Sequence, residues 1–84
     1  MTVYVYVLKS LKNGDLYVGY TDDLKQRFQS HNQGLVRSTV GYRPWELVYY
    51  EAYKDNKDAK KRERQLKEHK AKDALRKQIL RSLA

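Results

Sequence analysis

The sequence predicts an α+β fold, a three-stranded antiparallel sheet flanked by three or more helices. Three runs of residues point there. Val3 to Leu8 alternates valine with tyrosine, the period-2 pattern of a strand. Leu16 to Thr21 repeats that character across Asn13-Gly14, a strong hairpin signal because a type I′ turn needs positive φ at both central residues. Trp45 to Tyr53 supplies a third strand, which a hairpin needs because two strands alone are marginal in water.

With Asn13 and Gly14 as the turn, Lys12 pairs with Asp15 and Leu8 falls opposite Gly19. Even-numbered residues of the first strand then share a face with odd-numbered residues of the second. Tyr6 and Tyr17 therefore point the same way, with the missing side chain of Gly19 leaving a hollow between them. Plain cross-strand packing accounts for two such tyrosines as well as a site does.

Thr21 or Asp22 caps the next element, and acids in its first turn suit the positive end of a helix dipole. Leu24, Phe28, His31 and Leu35 follow the spacing of a core-facing stripe. Arg27 and His31, four apart, are neighbours on one edge of it. Taken singly they are a solvated cation and a satisfied histidine. Together, beside a tyrosine-rich sheet face, they are unusual for packing.

Gln33 to Tyr42 reads as a loop with a short helical turn, and Arg37 and Arg43 are basic residues there, able to meet phosphates or simply to lie at the surface. Pro44 pushes Arg43 toward extended geometry. In the third strand, Leu47, Tyr49, Glu51 and Tyr53 alternate with Glu46, Val48, Tyr50 and Ala52. Apolar residues on both faces place this strand centrally or under cover on both sides.

A helix then starts near Lys57 or Asp58, with Ala59, Glu63 and Leu66 as its only apolar stripe. Glu63 sits in the middle of that stripe, where a carboxylate is costly unless paired with a cation or a metal. Lys60 or Lys67 is one candidate partner. Leu75, Ile79 and Leu83 define a last helix, with Leu80 beside them and a cap near Asp73, that packs back on the rest.

A chain of 84 residues fits one domain over residues 1–84, without room for a separate target-recognition domain. The absence of cysteine excludes disulfides and thiolate metal sites and suits a reducing, cytoplasmic setting. No apolar run approaches the roughly 20 residues that span a bilayer, and no signal-peptide hydrophobic region opens the chain. The net charge of +8 is segregated: residues 54–84 carry twelve Lys and Arg against five Asp and Glu. Such a surface is the footprint of a phosphate-backbone binder, or of a solvated basic helix. An anionic membrane surface fits less well, since the tail helix is not markedly apolar on one face.

Tyr4-Val5-Tyr6-Val7-Leu8, then Leu16 to Thr21, then Arg27-x-x-x-His31-Asn32 resemble, in that order, the GIY-YIG nuclease superfamily. Val5-Tyr6-Val7 stands for the first signature and Tyr17-Val18-Gly19 for the second. Arg43 to Glu51 and the helix Lys61 to Lys67 also resemble its small stand-alone bacterial members, which are related to the N-terminal domain of the excision-repair incision subunit. The resemblance covers a core of residues 3–67 and leaves a basic helical segment, 68–84.

It implies a GIY-YIG-like fold and a metal-dependent endonuclease that hydrolyses phosphodiester bonds in DNA, in repair or DNA processing. By the same resemblance Tyr6 is a general base and Tyr17 a second phenol that orients phosphate or water. Arg27 stabilises transition-state charge, His31 hydrogen-bonds near the phosphate or Tyr6, and Glu63 holds one Mg²⁺ or Mn²⁺. Arg37, Arg43, Lys60, Arg64 and Lys67 would contact nucleic acid, DNA rather than RNA. A free tyrosine titrates near pH 10, so the base role asks Arg27 or the metal to stabilise a phenolate, with activity rising toward alkaline pH. Two departures stand out. The comparable place to an Asn near the C-terminal end of some members is Arg81-Ser82, and Glu68 to Asp73 lacks the glycine-containing stretch of many small relatives. They keep open a non-catalytic nucleic-acid-binding module of the same fold, or a protein-interaction domain that docks a partner on its tail helices.

Overall fold

Val3–Ser10 forms β1, the middle strand of a three-stranded antiparallel sheet whose neighbours are β2 (Leu16–Thr21) and β3 (Trp45–Tyr53). The computed structural model describes residues 1–84 and adds three helices, α1 (Leu24–Asn32), α2 (Asn56–Leu66) and α3 (His69–Gln78), with one 3-10 turn at Val40–Tyr42. The α+β architecture is therefore the one expected. None of the helices is long and apolar enough to cross a membrane.

The alternation of β1 sorts two layers. Val3, Val5 and Val7 face α2 and α3, where they pack with Leu16, Val18, Ala59, Leu66, Leu75 and Ile79. Tyr6 and Leu8 face the other way and pack with Trp45, Tyr17, Leu24, Phe28 and Leu47 under α1. Leu66 is 1% exposed, and truncating such a residue to alanine typically costs about 2–5 kcal/mol.

The hairpin differs from the expected one. Tyr6, not Leu8, lies opposite Gly19, and Leu8 lies opposite Tyr17. The loop is four residues long because Ser10 N donates to Asp15 O at 2.8 Å, and Lys12 does not pair with Asp15. Ser10 Oγ accepts from the backbone of Lys12 and Asn13, and Leu11 N donates to Pro44 O, which holds the wider turn in place. Gly14 has φ +80° while Asn13 does not have positive φ, so no type I′ turn forms. A slip of two residues preserves parity, and Tyr6 and Tyr17 remain on one face.

β3 is an edge strand, flanked on its two faces by α1 and α2 rather than lying centrally. A bulge breaks its register: Leu8 pairs with Leu47, yet Val7 pairs with Tyr49. Val48 is thus an extra residue, and the expected alternation fails there. Leu47 joins Trp45 in the layer of Tyr6, while Val48, Tyr49 and Tyr53 pack on the valine layer.

Helix ends also moved. Asp23 caps α1, its side chain accepting from Gln26 N at 3.1 Å, and the first turn holds no acid. Leu35 lies beyond the helix and is 71% exposed; Val36 is buried in its stead. Asp55 caps α2, and α3 begins at His69, so Asp73 is mid-helix rather than a cap. Past Gln78 the chain turns, returning Leu83 to the core while Leu80 stays exposed.

Candidate active site

Tyr6 leaves the middle strand and runs its ring over Gly19 of β2. A Cβ built on Gly19 would lie 2.5 Å from the Tyr6 hydroxyl, so only glycine admits the phenol here. The hydroxyl meets Nε2 of His31 at 2.8 Å. His31 comes from the last turn of α1, is fully buried, and its Nδ1 meets Thr39 Oγ1 at 2.8 Å. Tyr17 completes the group, its ring centroid 6.5 Å from that of Tyr6 and 5.1 Å from that of His31.

The frame around them is tied by hydrogen bonds. Asn32 bonds both the N and the O of Trp45, at 2.6 and 2.9 Å, which locks the end of α1 to the start of β3. The Trp45 indole donates to Thr39 O at 2.9 Å and its ring stands 6.2 Å from Tyr17. Every buried side-chain nitrogen and oxygen has a partner.

Arg27 and Glu63 act on the same phenol from different layers. Burial pushes the Tyr6 pKa up, the adjacent Arg27 guanidinium pulls it down, and the negative charges of Tyr17 and Glu63 add to the rise. The net shift is upward, so in the protein alone Tyr6 is a neutral phenol at neutral pH. Arg27 alone therefore does not supply the stabilised phenolate that the base role asks for. His31 is lowered to about 4, by burial first and by the Arg27 charge second, and is therefore a neutral imidazole.

That shift is testable without any substrate. Between the unfolded value of 6.5 and the folded value of about 4, the unfolded chain takes up a proton that the folded chain refuses. The associated stability is complete above pH 6.5 and is lost as pH falls toward 4, roughly 3 kcal/mol in all and about 2 kcal/mol of it by pH 5. Thermal melts should show Tm dropping over that window, equally in His69→Gln, since His69 is exposed. A flat profile would contradict a buried, neutral His31.

Glu63 is not turned to solvent. Its side chain is 19% exposed and pairs with Lys67 at 3.5 Å, a loose contact with a half-exposed amine. Lys60 instead stands 5.9 Å over the Tyr20 ring. No three His, Cys, Asp or Glu side chains gather in one place. The donor set for a divalent ion is thus a single accessible carboxylate, which fits Mg²⁺ or Mn²⁺ because such ions keep several waters and take substrate phosphates as further ligands.

Of the other basic residues, Lys60 and Arg64 on α2 and Lys67 just past its end lie beside Glu63 and are exposed. Arg37 is exposed on its loop. Arg43 has extended backbone, and its Nε donates to Val40 O at 2.9 Å while the guanidinium rests on Gly34. Arg43 is therefore engaged in holding its own loop, and no bond joins it or Arg37 to Tyr6, Tyr17 or His31. A hollow of about 550 Å³ on the same sheet face, lined by Tyr4, Leu24, Phe28, Leu47 and Tyr50, contains none of the five expected site residues.

The family model of the GIY-YIG catalytic domain matches residues 2–78. This chain belongs to the GIY-YIG family. Among its relatives is a UPF0213 protein of Clostridium perfringens, 40% identical over 65 residues that span 76% of this chain and 69% of the relative. Another, from Staphylococcus aureus, is 38% identical over 74 residues, 87% of this chain and 89% of that one. The solution NMR structure of a UPF0213 protein from Bacillus halodurans superposes with a TM-score of 0.57 at 33% identity, covering 89% of this chain and 82% of its own. GIY-YIG is a nuclease family whose members generally use a divalent metal and act on nucleic acid. The relatives' names specify no substrate or reaction.

Thr39 is the part of this arrangement that the sequence did not advertise, while Asn32 and Trp45 stood in the matching motifs without a role. Thr39 lay in a stretch read as plain loop, and only its place eight residues past His31 could have hinted at a partner.

Proposed function

We propose that this chain is a divalent-metal-dependent endonuclease that hydrolyses phosphodiester bonds in DNA, working in a cytoplasmic repair or DNA-processing role. One observation carries the reading: Tyr6 and His31 share a 2.8 Å hydrogen bond beside Tyr17, on a phenol that both Arg27 and Glu63 influence. A phenol and an imidazole are bonded there under the influence of a guanidinium and a carboxylate, and packing alone requires none of the four.

In this mechanism the Tyr6 oxygen takes the proton of the attacking water. Its own proton passes to bare Nε2 of His31 in the same event, so no phenolate need exist beforehand. Charging a buried imidazole is costly, and the negative charge of the incoming phosphate offsets it. Arg27 directs its fork of donors at the charge developing on phosphorus oxygens. Tyr17, half-buried and more open than Tyr6, orients the phosphate or the water. Glu63 would hold the ion, which would supply positive charge to stabilise the leaving group. Lys60, Arg64 and Lys67 carry the backbone of the duplex along α2, with Arg37 a further phosphate contact.

The deciding test is cleavage of plasmid and branched DNA, with RNA in parallel, in Mg²⁺ or Mn²⁺ by wild type and Arg27→Ala. The variant should be slower by about 10²–10³-fold, the typical cost of one such donor. Equal cutting by both would mean a contaminating nuclease. Salt-sensitive binding without turnover would instead select the non-catalytic module.

The coupled proton transfer also replaces the alkaline rise expected from sequence. The rate should be level from roughly pH 6 to pH 9, because a neutral His31 and a neutral Tyr6 both persist across that span. A climb of about tenfold per pH unit would mean that phenolate must form first, and would remove His31 from the proton path.

A further inference from the structure

Which nitrogen of His31 carries its proton decides whether Tyr6 can act. If Nε2 is bare, the Tyr6 O–H points into His31 and the lone pairs of the phenol oxygen face the reacting side. If Nε2 is protonated, the phenol oxygen accepts from it and must aim its own proton outward, where a base is of no use. The bonding favours the first arrangement. A hydroxyl has one proton, and Thr39 Oγ1 donates it to Val36 O at 3.3 Å, a carbonyl that can only accept. Facing His31, Oγ1 is therefore an acceptor, and Nδ1 bears the imidazole proton and donates it there at 2.8 Å. Nε2 of the neutral ring is left bare and accepts from the Tyr6 hydroxyl, also at 2.8 Å.

We infer that Thr39 is a positioning residue for this site: its buried hydroxyl, by accepting from Nδ1, holds His31 in the Nδ1–H form and so turns the lone pairs of Tyr6 toward the substrate. The hydroxyl is itself fixed from both sides. Thr39 is fully buried, its amide donates to Val36 O at 3.1 Å, and its carbonyl accepts from the Trp45 indole. The orientation of a phenol on β1 is therefore set by a loop residue that never meets the substrate. This inference rests on the proton path proposed above, and the tautomer can be read independently of it.

The experiment is long-range ¹H–¹⁵N correlation of the histidine rings at neutral pH, with His69→Gln used to assign His31. Wild type should show a protonated Nδ1 and a bare Nε2. Thr39→Val, of nearly the same shape, should lose that preference and cleave DNA about 10²-fold more slowly or worse, in keeping with the loss of a group that orients a histidine. Thr39→Ser should restore both the tautomer and most of the rate. A protonated Nε2 in wild type overturns the inference. So does a Thr39→Val protein that keeps the Nδ1–H form, whether or not it has lost activity, because Thr39 would then be structural only. A tautomer shift in Thr39→Val, reversed in Thr39→Ser, upholds the control of His31 even where wild type cuts nothing, so failure of the nuclease reading is seen separately.

Discussion

Glu63→Gln is expected to cleave DNA at least about 10³-fold more slowly than wild type while binding it no less tightly. The substitution keeps the size of the side chain and removes its charge. If Glu63 is the one protein ligand of the ion, losing it removes several kcal/mol of transition-state stabilisation, and each 1.36 kcal/mol is about tenfold in rate. Binding should not suffer, because Lys67 is released from its 3.5 Å pairing with Glu63 and becomes available to phosphate. Stability should barely change either, since the pair is loose and half-open on its Lys67 side, and such pairs contribute about 0–1 kcal/mol. Single-turnover cleavage together with metal-free binding separates these effects. Near-wild-type cutting would show that the carboxylate is merely a bridge to Lys67, and a parallel loss of binding would give it a structural role.

The second large effect concerns a residue with no chemistry of its own. Gly19→Ala should lower cleavage by about 10²-fold or more, the consequence of moving a reacting group by an ångström. The new methyl would stand 2.5 Å from the Tyr6 hydroxyl and 2.7 Å from the ring carbon that bears it. Tyr6 cannot easily yield: it is 1% exposed and held by His31. The ring must shift and the bond to Nε2 must stretch. Overpacking of this kind costs about 1–3 kcal/mol, so Tm should fall without loss of the fold. Wild-type cleavage by a well-folded Gly19→Ala would show that the position of the Tyr6 oxygen is not critical.

Strands and helices were legible because their signals are local. The valine and tyrosine alternation of β1 and the apolar spacing of α1 need nothing beyond their neighbours, although the caps themselves fell a residue or more away, at Asp23 and Asp55. What failed was decided at a distance. Asn13-Gly14 favours a two-residue turn, but Ser10 Oγ and the bond from Leu11 to Pro44 draw the chain into a wider one. The side alternation of β3 was lost at Val48, since a bulge depends on what both neighbouring layers will accept. The site shows the same division. Parity put Tyr6 and Tyr17 on one face and survived the register slip, and helical spacing set His31 on the core side of α1, while the family resemblance singled the three out as a site. Thr39 was invisible because a loop carries no period, and the bond from Arg43 to Val40 O was equally hidden because an exposed arginine gives no sign of which carbonyl it holds.

The additional residue in β3 gives the sheet a change of phase halfway along one edge. Before Val48, the strand presents Trp45 and Leu47 to the compartment of the imidazole; after it, Tyr49, Glu51 and Tyr53 turn to the opposite compartment, where Glu51 is clasped by Arg62 at 2.9 Å. Excising Val48 would leave a tidier ladder with every rung in step. It would also force either the indole or the Glu51 clasp onto the wrong side, so the flaw in the pleat is what allows nine residues to cover the buried imidazole at one end and brace a helix at the other.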